Sequence, residues 1–387
     1  MGIRCEIKKL SSQQEGGTDW VARPFFYLYP MLKYFSFIAL ATLGACTHSL
    51  SKFYPEITPR KSEATLTVHP GAKNELDIVY LGAGNLVLGH NGEAILTDPF
   101  FSNQKVLRLL GKIKSSRSLY NTWKTNFEYF MSPSEVRAAL VSHTHYDHAM
   151  DLPLLLEGHY FTNLETVYGN SYLPRIMHNF EKEGVGLVAL SKGQVYDPTS
   201  NDQSYQWISL TSNIRALPVL SNHAPHTKRK LFMDKPLDEQ YFDEYLLYSN
   251  SKTKAFKWPA GETYSFLIDF LGADTLRVFL QTTASQYPYG FPPAEELKKK
   301  RVDLAIVCYA SAPNVDGYPN KLVEFIQPEK LMLVHWEDFF RSPKSFHDQR
   351  LVRGTRPKKV RQRIDLLGKP RDYFIMPLPG TRIKVKY

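Results

Sequence analysis

The stretch that decides the fold is Val141-Ser142-His143-Thr144-His145-Tyr146-Asp147-His148, in which three histidines and one aspartate lie within six residues. It follows a predicted apolar strand and precedes a predicted helix. In an extended loop His143 and His145 project to the same side, whereas Asp147 and His148 lie where the chain turns into the helix. Neutral imidazoles with one carboxylate suit zinc, or Fe or Mn where more carboxylate or water completes the site. The stretch therefore predicts a metal site.

The same stretch is a His-x-His-x-Asp-His signature, and by it the chain resembles the metallo-β-lactamase superfamily over roughly residues 75–345. Three strand-end motifs extend the resemblance along the chain. Asp98 resembles the family's first motif, His223 its third and His335 its last. The pair His335-Trp336 is similar to the ending found in the branch that contains N-acyl phosphatidylethanolamine phospholipase D-like enzymes.

The resemblance implies an α+β fold, a four-layer αββα sandwich of two mixed β-sheets flanked by helices. The sequence pattern agrees, because hairpins dominate its start and strands alternate with helices in its second half. Asn91-Gly92 predicts a tight hairpin turn, and residues 134–138 are predicted to be a short helix. The resemblance also implies two ligand sets, with one metal bound by His143, His145 and His223 and the other by Asp147, His148 and His335.

One motif of the family is missing from the chain. The fourth motif is usually Gly-Asp after a hydrophobic strand, and its aspartate bridges the two metals. Here Thr282 or Thr283 occupies that position, and a neutral hydroxyl is a poor bridging ligand. We therefore expect the second metal to bind more weakly than the first. Glu337 and Asp338 are the nearest acidic residues that could substitute, and Asp274 offers another alignment.

The resemblance implies a hydrolase with one or two zinc ions, or Fe or Mn, as cofactor. A metal-bound hydroxide would attack an ester or phosphodiester bond of a small-molecule or lipid-derived substrate, since the metal lowers the pKa of bound water toward about 7. Asp147 would orient that hydroxide and later handle a proton. The alternative is a non-catalytic or mononuclear metal-binding lipoprotein that keeps the fold without the bridging aspartate. Cys308 ends an apolar strand, where a buried thiol is expected to be inert.

Residues 31–45 resemble a bacterial lipoprotein signal peptide. Phe35–Ala45 carries no charge, and its eleven residues are too short to cross a hydrocarbon core of about 30 Å. Leu43-Gly44-Ala45-Cys46 is similar to a lipobox, which implies a lipid attached to Cys46. The expected location is the bacterial cell envelope, lipid-anchored and facing the periplasm. The alternatives are an amphipathic N-terminal helix, or a misread N-terminus on a cytoplasmic hydrolase.

These expectations divide the 387 residues into segments. Residues 1–30 are expected to be an untranslated extension, 46–74 a tether, and 346–387 a basic segment packed on the domain. At 43% hydrophobic and 22% charged residues, the composition excludes a disordered or fibrous chain.

The positive charge is concentrated at the C-terminal end, where residues 351–387 hold eleven Lys and Arg against two Asp. This predicts a charged helix face that is either solvated or in contact with anionic lipid headgroups. Nucleic acid is not an expected partner, because the cations are not interleaved with aromatic residues and no nucleic-acid-binding motif is present.

Overall fold

The computed structural model describes residues 62–69, 71, 73–105, 109, 113–178, 184–225, 255, 258–341, 350–353 and 355–387. The predicted signal peptide and Cys46 lie outside these residues. Among the helices that the structure describes, none is long and apolar enough to span a membrane.

The first sheet has eight strands in the order β1-β15-β2-β3-β4-β5-β6-β7. They are β1 (Ser62–Thr67), β2 (Glu75–Gly82), β3 (Asn85–His90), β4 (Glu93–Thr97), β5 (Val136–Leu140), β6 (Thr166–Gly169), β7 (Gly186–Ala189) and β15 (Thr381–Lys386). Strands β2 to β4 form an antiparallel meander, whereas β4 to β7 run parallel to one another. The sheet is therefore mixed, as predicted.

The second sheet has seven strands in the order β14-β13-β12-β11-β10-β9-β8. They are β8 (Ile208–Ser209), β9 (Ile214–Ser221), β10 (Thr263–Phe270), β11 (Leu276–Gln281), β12 (Leu304–Cys308), β13 (Lys330–Val334) and β14 (Phe374–Ile375). Strands β8 to β11 are antiparallel and β11 to β14 are parallel, so this sheet is mixed as well.

Helices cover the outer face of each sheet. They are α1 (Arg117–Glu128), α2 (Tyr146–Ala149), α3 (Leu152–Glu157), α4 (Leu173–Met177), α5 (Ala294–Lys299), α6 (Asn320–Ile326) and α7 (Pro357–Asp365). The first four pack on the first sheet, where Trp123 and Phe127 are buried, and the last three pack on the second sheet through residues such as Leu322 and Val360.

Three apolar cores separate the four layers. Alternate residues of one strand enter different cores: Ile78 and Tyr80 face the space between the sheets, and Val79 faces the outer helices. Both faces of each sheet are therefore buried, because successive side chains of a strand point to opposite sides. The αββα fold class predicted from the sequence is confirmed by this layering.

Two local predictions, a hairpin turn at Asn91-Gly92 and a short helix over residues 134–138, have different outcomes in the structure. The hairpin at Asn91-Gly92 is confirmed: both residues have positive φ, 51° and 76°, and they join β3 to β4. The short helix predicted over residues 134–138 is wrong. A single 3-10 turn at Pro133–Glu135 gives way to β5, which pairs with β4 on one side and β6 on the other. Sheet pairing outweighs the local helix signal there.

The sheets extend past both ends of the predicted domain. Strand β1 lies within the expected tether and pairs in parallel with β15, which in turn pairs with β2. Within residues 346–387, α7 packs on the second sheet, β14 extends that sheet and β15 belongs to the first. The described residues of both segments are therefore part of the fold rather than additions to it.

Candidate metal centre

The candidate site is built at the strand ends that face one edge of the sandwich. The residues that directly follow β4, β11 and β13 are Asp98, Thr282 and His335. One residue separates Ser142 from the end of β5, and one separates His223 from the end of β9. The carboxyl ends of neighbouring parallel strands meet at the same edge of a sheet, so the topology brings these residues together.

Six residues predicted to bind metal lie there in two groups of three. One group contains His143, His145 and His223, and the other contains Asp147, His148 and His335; within each group the ligand atoms lie within 4.8 Å of one another. The rings of His143 and His148 are 3.9 Å apart, so the two groups are adjacent. These are the two ligand sets implied by the resemblance, and their binding of metal stays a prediction.

The loop that carries the first two histidines is fixed from behind. The hydroxyl of Thr144 donates to the carbonyl of Pro259 at 2.7 Å, and its N–H donates to the carbonyl of Ala260 at 3.1 Å. Thr144 therefore faces away from the site, which turns His143 and His145 to the other side, as the sequence predicted. Helix α2 begins immediately afterwards with His145 as its N-cap residue, and it carries Asp147 and His148.

Oxygen atoms engage the Nδ1 atoms of three histidines. His148 Nδ1 lies 2.9 Å from Asp98 Oδ2, His223 Nδ1 lies 2.7 Å from the carbonyl of Ala224, and His143 Nδ1 lies 3.1 Å from Ser142 Oγ. In each pair Nδ1 can donate, which leaves Nε2 with a lone pair for a metal. His145 differs, since its Nδ1 lies 3.1 Å from His143 Nε2. The donor set therefore fits a metal ion.

Ser142 connects the two sheets at the site. Its N–H and its hydroxyl donate to the carboxylate of Asp98 at 2.7 and 2.8 Å, and its Oγ accepts from the hydroxyl of Thr282 at 2.8 Å. From the sequence, Asp98 is expected near the predicted metal site, with no role assigned to it. The structure places it behind His148, and Ser142 was not singled out from the sequence because serine is common at strand ends.

The electrostatics of the site favour a neutral His143 and an ionised Asp147, whereas they favour the protonated form of His148. Burial first, and then the neighbouring imidazoles, hold the pKa of His143 well below its usual value. Burial raises the pKa of Asp147, but the hydrogen bond from His335 and the charge of His148 outweigh it, so the pKa is lowered. For His148 burial lowers the pKa and the Asp98 carboxylate raises it, with a net increase. Metal binding requires the deprotonated forms.

The bridging aspartate has no replacement within the two groups, whose one carboxylate among the described residues is that of Asp147. Glu337 accepts hydrogen bonds from Tyr80 and from the backbone of Ala83. Asp338 faces Arg353, with 3.4 Å between carboxylate oxygen and Nε. Asp274 is exposed in the turn before β11, at the end of that strand opposite to Thr282.

The neighbouring positions also have defined places. Of the two candidate threonines, Thr282 contacts Ser142, and Thr283 is buried beside it. Cys308 is buried, and burial raises the pKa of its thiol to about 12, which agrees with an inert side chain. His90 lies outside the two groups, with its Nε2 3.1 Å from the carbonyl of Leu271.

No protein-family model and no curated protein sequence matches the chain. Solved structures do resemble it. The metallo-β-lactamase fold protein YhfI from Bacillus subtilis is 13% identical with a TM-score of 0.47, and the match covers 81% of this chain and 100% of that one. Igni18, a metallo hydrolase from Ignicoccus hospitalis, is 13% identical with a TM-score of 0.44, over 81% of this chain and 99% of that one.

A third similar structure is an isothiocyanate hydrolase from Delia radicum gut bacteria, 10% identical with a TM-score of 0.44, over 79% of this chain and 98% of that one. At these identities the fold assignment rests on the chain's own sheet order and layering. What the chain shows by itself is an αββα sandwich that carries two adjacent groups of metal-ligand side chains at one edge.

Proposed function

We propose that this chain is a metal-dependent hydrolase of the metallo-β-lactamase type, acting on an ester or phosphodiester bond. The observation that carries the proposal is the pair of adjacent ligand groups, in which oxygen atoms orient the Nδ1 atoms of His143, His148 and His223. A bound metal supplies a Lewis acid and lowers the pKa of water toward about 7. Zinc suits this donor set best, with Fe or Mn as alternatives.

The chain's own residues provide positioning and proton handling. Asp147 Oδ2 lies 3.9 Å from His148 Nε2 and 3.7 Å from His335 Nε2, and its side chain is 15% exposed. It is therefore the carboxylate at the opening of the site, where it can orient a water and hold its proton. His143, His145 and His148 are almost fully buried, so the floor of the site excludes solvent.

The proposal extends to a lipid-derived substrate and a lipid anchor at Cys46 in the bacterial cell envelope. Its support is the resemblance of residues 43–46 to a lipobox, the His335-Trp336 ending and the cations of residues 351–387. Globomycin treatment of expressing bacteria tests the anchor. An uncleaved precursor, matched by Cys46→Ser, is the expected result; a chain that is never processed, with or without globomycin, would point to a cytoplasmic enzyme.

The second candidate is a metal-binding protein without turnover, and Thr282 favours it. Thr282 contacts Ser142 at the strand end where a bridging aspartate is expected. Thr282→Asp separates the two candidates, with Thr283→Asp as its matched control. A gain of second-metal binding and of activity in the first variant alone would reveal a dormant enzyme.

The test of the hydrolase proposal is metal content and turnover on the same samples. The full chain is purified without chelator and assayed with bis(p-nitrophenyl) phosphate and with p-nitrophenyl acyl esters. We expect metal to copurify with the wild-type chain. Turnover should fall at least 100-fold in His145→Ala and Asp147→Asn and should stay unchanged in His178→Ala, because His178 is exposed on the surface. A metal-loaded protein inactive on both substrate classes would favour the second candidate.

A further inference from the structure

A buried hydrogen-bonded network lies directly behind His335. The phenolic oxygen of Tyr80 accepts the backbone N–H of His335 at 2.9 Å and donates to Glu337 Oε2 at 2.6 Å. The other oxygen of Glu337 accepts the backbone N–H of Ala83. Tyr80 is fully buried, and Glu337 is 2% exposed. One carboxylate thus ties the turn after β2 to the end of β13.

Both backbone positions held by this network have left-handed geometry. His335 has φ of 52° and Ala83 has φ of 51°, which residues with a Cβ adopt only where their surroundings enforce it. For His335 this geometry ends β13 and directs the imidazole into the site, with Nε2 3.7 Å from Asp147 Oδ2. The conformation of the ligand and the hydrogen bond to Tyr80 therefore belong together.

The charge of Glu337 needs an explanation of its own. No ion pair joins it to a cation among the residues that the structure describes, although a buried carboxylate is costly when nothing balances it. An apolar side chain there would leave the Tyr80 hydroxyl and the Ala83 N–H without their acceptor, so hydrogen bonding accounts for a polar residue at this position. A metal ion held next to His335 would supply the opposite charge nearby.

We propose that Tyr80 and Glu337 are positioning residues for the second metal site, which fix His335 so that it completes the group with Asp147 and His148. The inference rests on the proposed function in that it requires a metal. Neither residue touches the metal or the substrate: Glu337 acts on His335 through Tyr80. The sequence did not reveal either role, because Tyr80 reads as one more apolar residue of β2.

The test is a Co²⁺ titration of the full chain, followed by visible absorption and by metal analysis after dialysis. We expect Tyr80→Phe and Glu337→Gln to weaken the second Co²⁺ 10- to 100-fold and to change its absorption bands, with the first Co²⁺ unaffected. Tyr373→Phe is the control and keeps both sites, because Tyr373 is buried and its hydroxyl interacts with Glu329, which precedes β13 at the end opposite to His335. The double variant should bind the second Co²⁺ no more weakly than the more severely affected single variant, because both residues act on His335 along one path.

Three outcomes would overturn the inference, and they are distinguishable. Two ions bound with wild-type affinity and spectra in both variants would leave the network a purely structural role. A single ion in the wild type, insensitive to His335→Ala, would remove the second site and leave the proposed function standing on the first. No bound Co²⁺ in the wild type would overturn the proposed function and this inference together. Glu337→Gln keeps the length and shape of the side chain and loses one of its two acceptors, so it provides a second variant should Tyr80→Phe fail to fold.

Discussion

At the scale of single residues, the arrangement of the candidate site depends on side chains that are not among its predicted ligands. Asp98 accepts from Ser142 and from His148 with the same carboxylate, so one side chain sets the position of a strand end and the orientation of an imidazole. Such outer contacts decide which nitrogen of a histidine remains for a metal. The two groups of ligand-type side chains could be predicted from the sequence; their supports could not, since Ser142 and Tyr80 carry no distinguishing pattern.

Asp98→Asn is expected to weaken metal binding 10- to 100-fold, because an amide holds the His148 imidazole less firmly and removes the negative charge behind it. The dissociation constant is measured by competition with a chromophoric chelator. Asp151→Asn is the matched control: Asp151 is also buried and accepts two backbone N–H groups, those of Phe101 and Ser102, at 2.7 Å. It should lower stability and leave metal affinity unchanged; equal losses in both variants would contradict the role of Asp98.

At the scale of elements, the C-terminal strand is central rather than peripheral. Strand β15 lies between β1 and β2, and Arg382 makes a bidentate ion pair with Asp77 of β2 at 2.9 and 2.7 Å. Its residues alternate between buried and half-buried positions, as expected for a strand with one face on the core. The alternation of Ile383, Lys384 and Val385 is visible in the sequence, but its partners lie about 300 residues away and no local signal identifies them.

Ile383→Ala is expected to lower the free energy of unfolding by about 2–5 kcal/mol, because Ile383 is fully buried between the sheets. Lys384→Ala, at the next and half-buried position, should change it by less than about 0.5 kcal/mol. Urea denaturation of the two variants beside the wild type measures both values. A small effect of Ile383→Ala would mean that β15 is not part of the cooperative core.

Helix α7 presents a cationic outer face. Pro357, Val360 and Ile364 are buried, while Lys358 and Lys359 are exposed in its first turn and Leu366, just after it, is 70% exposed. Cations in a first turn oppose the helix dipole, so they do not serve the helix itself. An anionic lipid surface would complement them, at roughly 1 kcal/mol per cation.

The double variant Lys358→Glu/Lys359→Glu is expected to reduce sedimentation with vesicles of phosphatidylglycerol at least tenfold in the chain carrying Cys46→Ser, which removes any contribution of a lipid anchor. Lys298→Glu on α5 is the control, since Lys298 is exposed but paired with Glu295 at 2.8 Å. Unchanged sedimentation of the double variant would mean that α7 is a solvated surface.

At the scale of the whole molecule, the two groups of ligand-type side chains are adjacent, and no carboxylate among the described residues of the two groups bridges them. Two opposite unit charges about 4 Å apart attract each other by on the order of 4 kcal/mol at an effective dielectric constant near 20. The bridging carboxylate that would supply such a charge beside both metals is absent from the described residues of the two groups. The two groups therefore need not bind metal at the same metal concentration, and the number of bound ions will depend on the free metal concentration.

Zn²⁺ titration by calorimetry is expected to show two phases whose dissociation constants differ at least 100-fold, with His223→Ala removing the tighter phase and His335→Ala the weaker one. The tighter ion should also raise the melting temperature, because a ligand that binds only the folded state stabilises it. Two ions of equal affinity would indicate a ligand outside the two groups in place of the missing aspartate.

Much of this architecture was predictable because its signals are local. The histidine stretch, the hairpin at Asn91-Gly92 and the polar residues at strand ends all lie next to the apolar runs that position them. Parallel pairing of β1 with β15, and the contact of Glu337 with Tyr80, join residues about 320 and 257 positions apart, and neither partner has a pattern that names the other. Contacts between residues far apart in the chain could therefore not be predicted from the sequence.

The place of β15 has a consequence for how the chain is made. Strand β1 pairs only with β15 among the described strands, and β2 meets β15 on its outer side, so neither edge can close until residues 381–386 have been synthesised. Completion of the first sheet must then wait until residues 381–386 have left the ribosome. Until then β1 and the outer side of β2 offer unpaired backbone N–H and C=O groups, the kind of exposed strand edge at which newly made chains aggregate and which a chaperone protects.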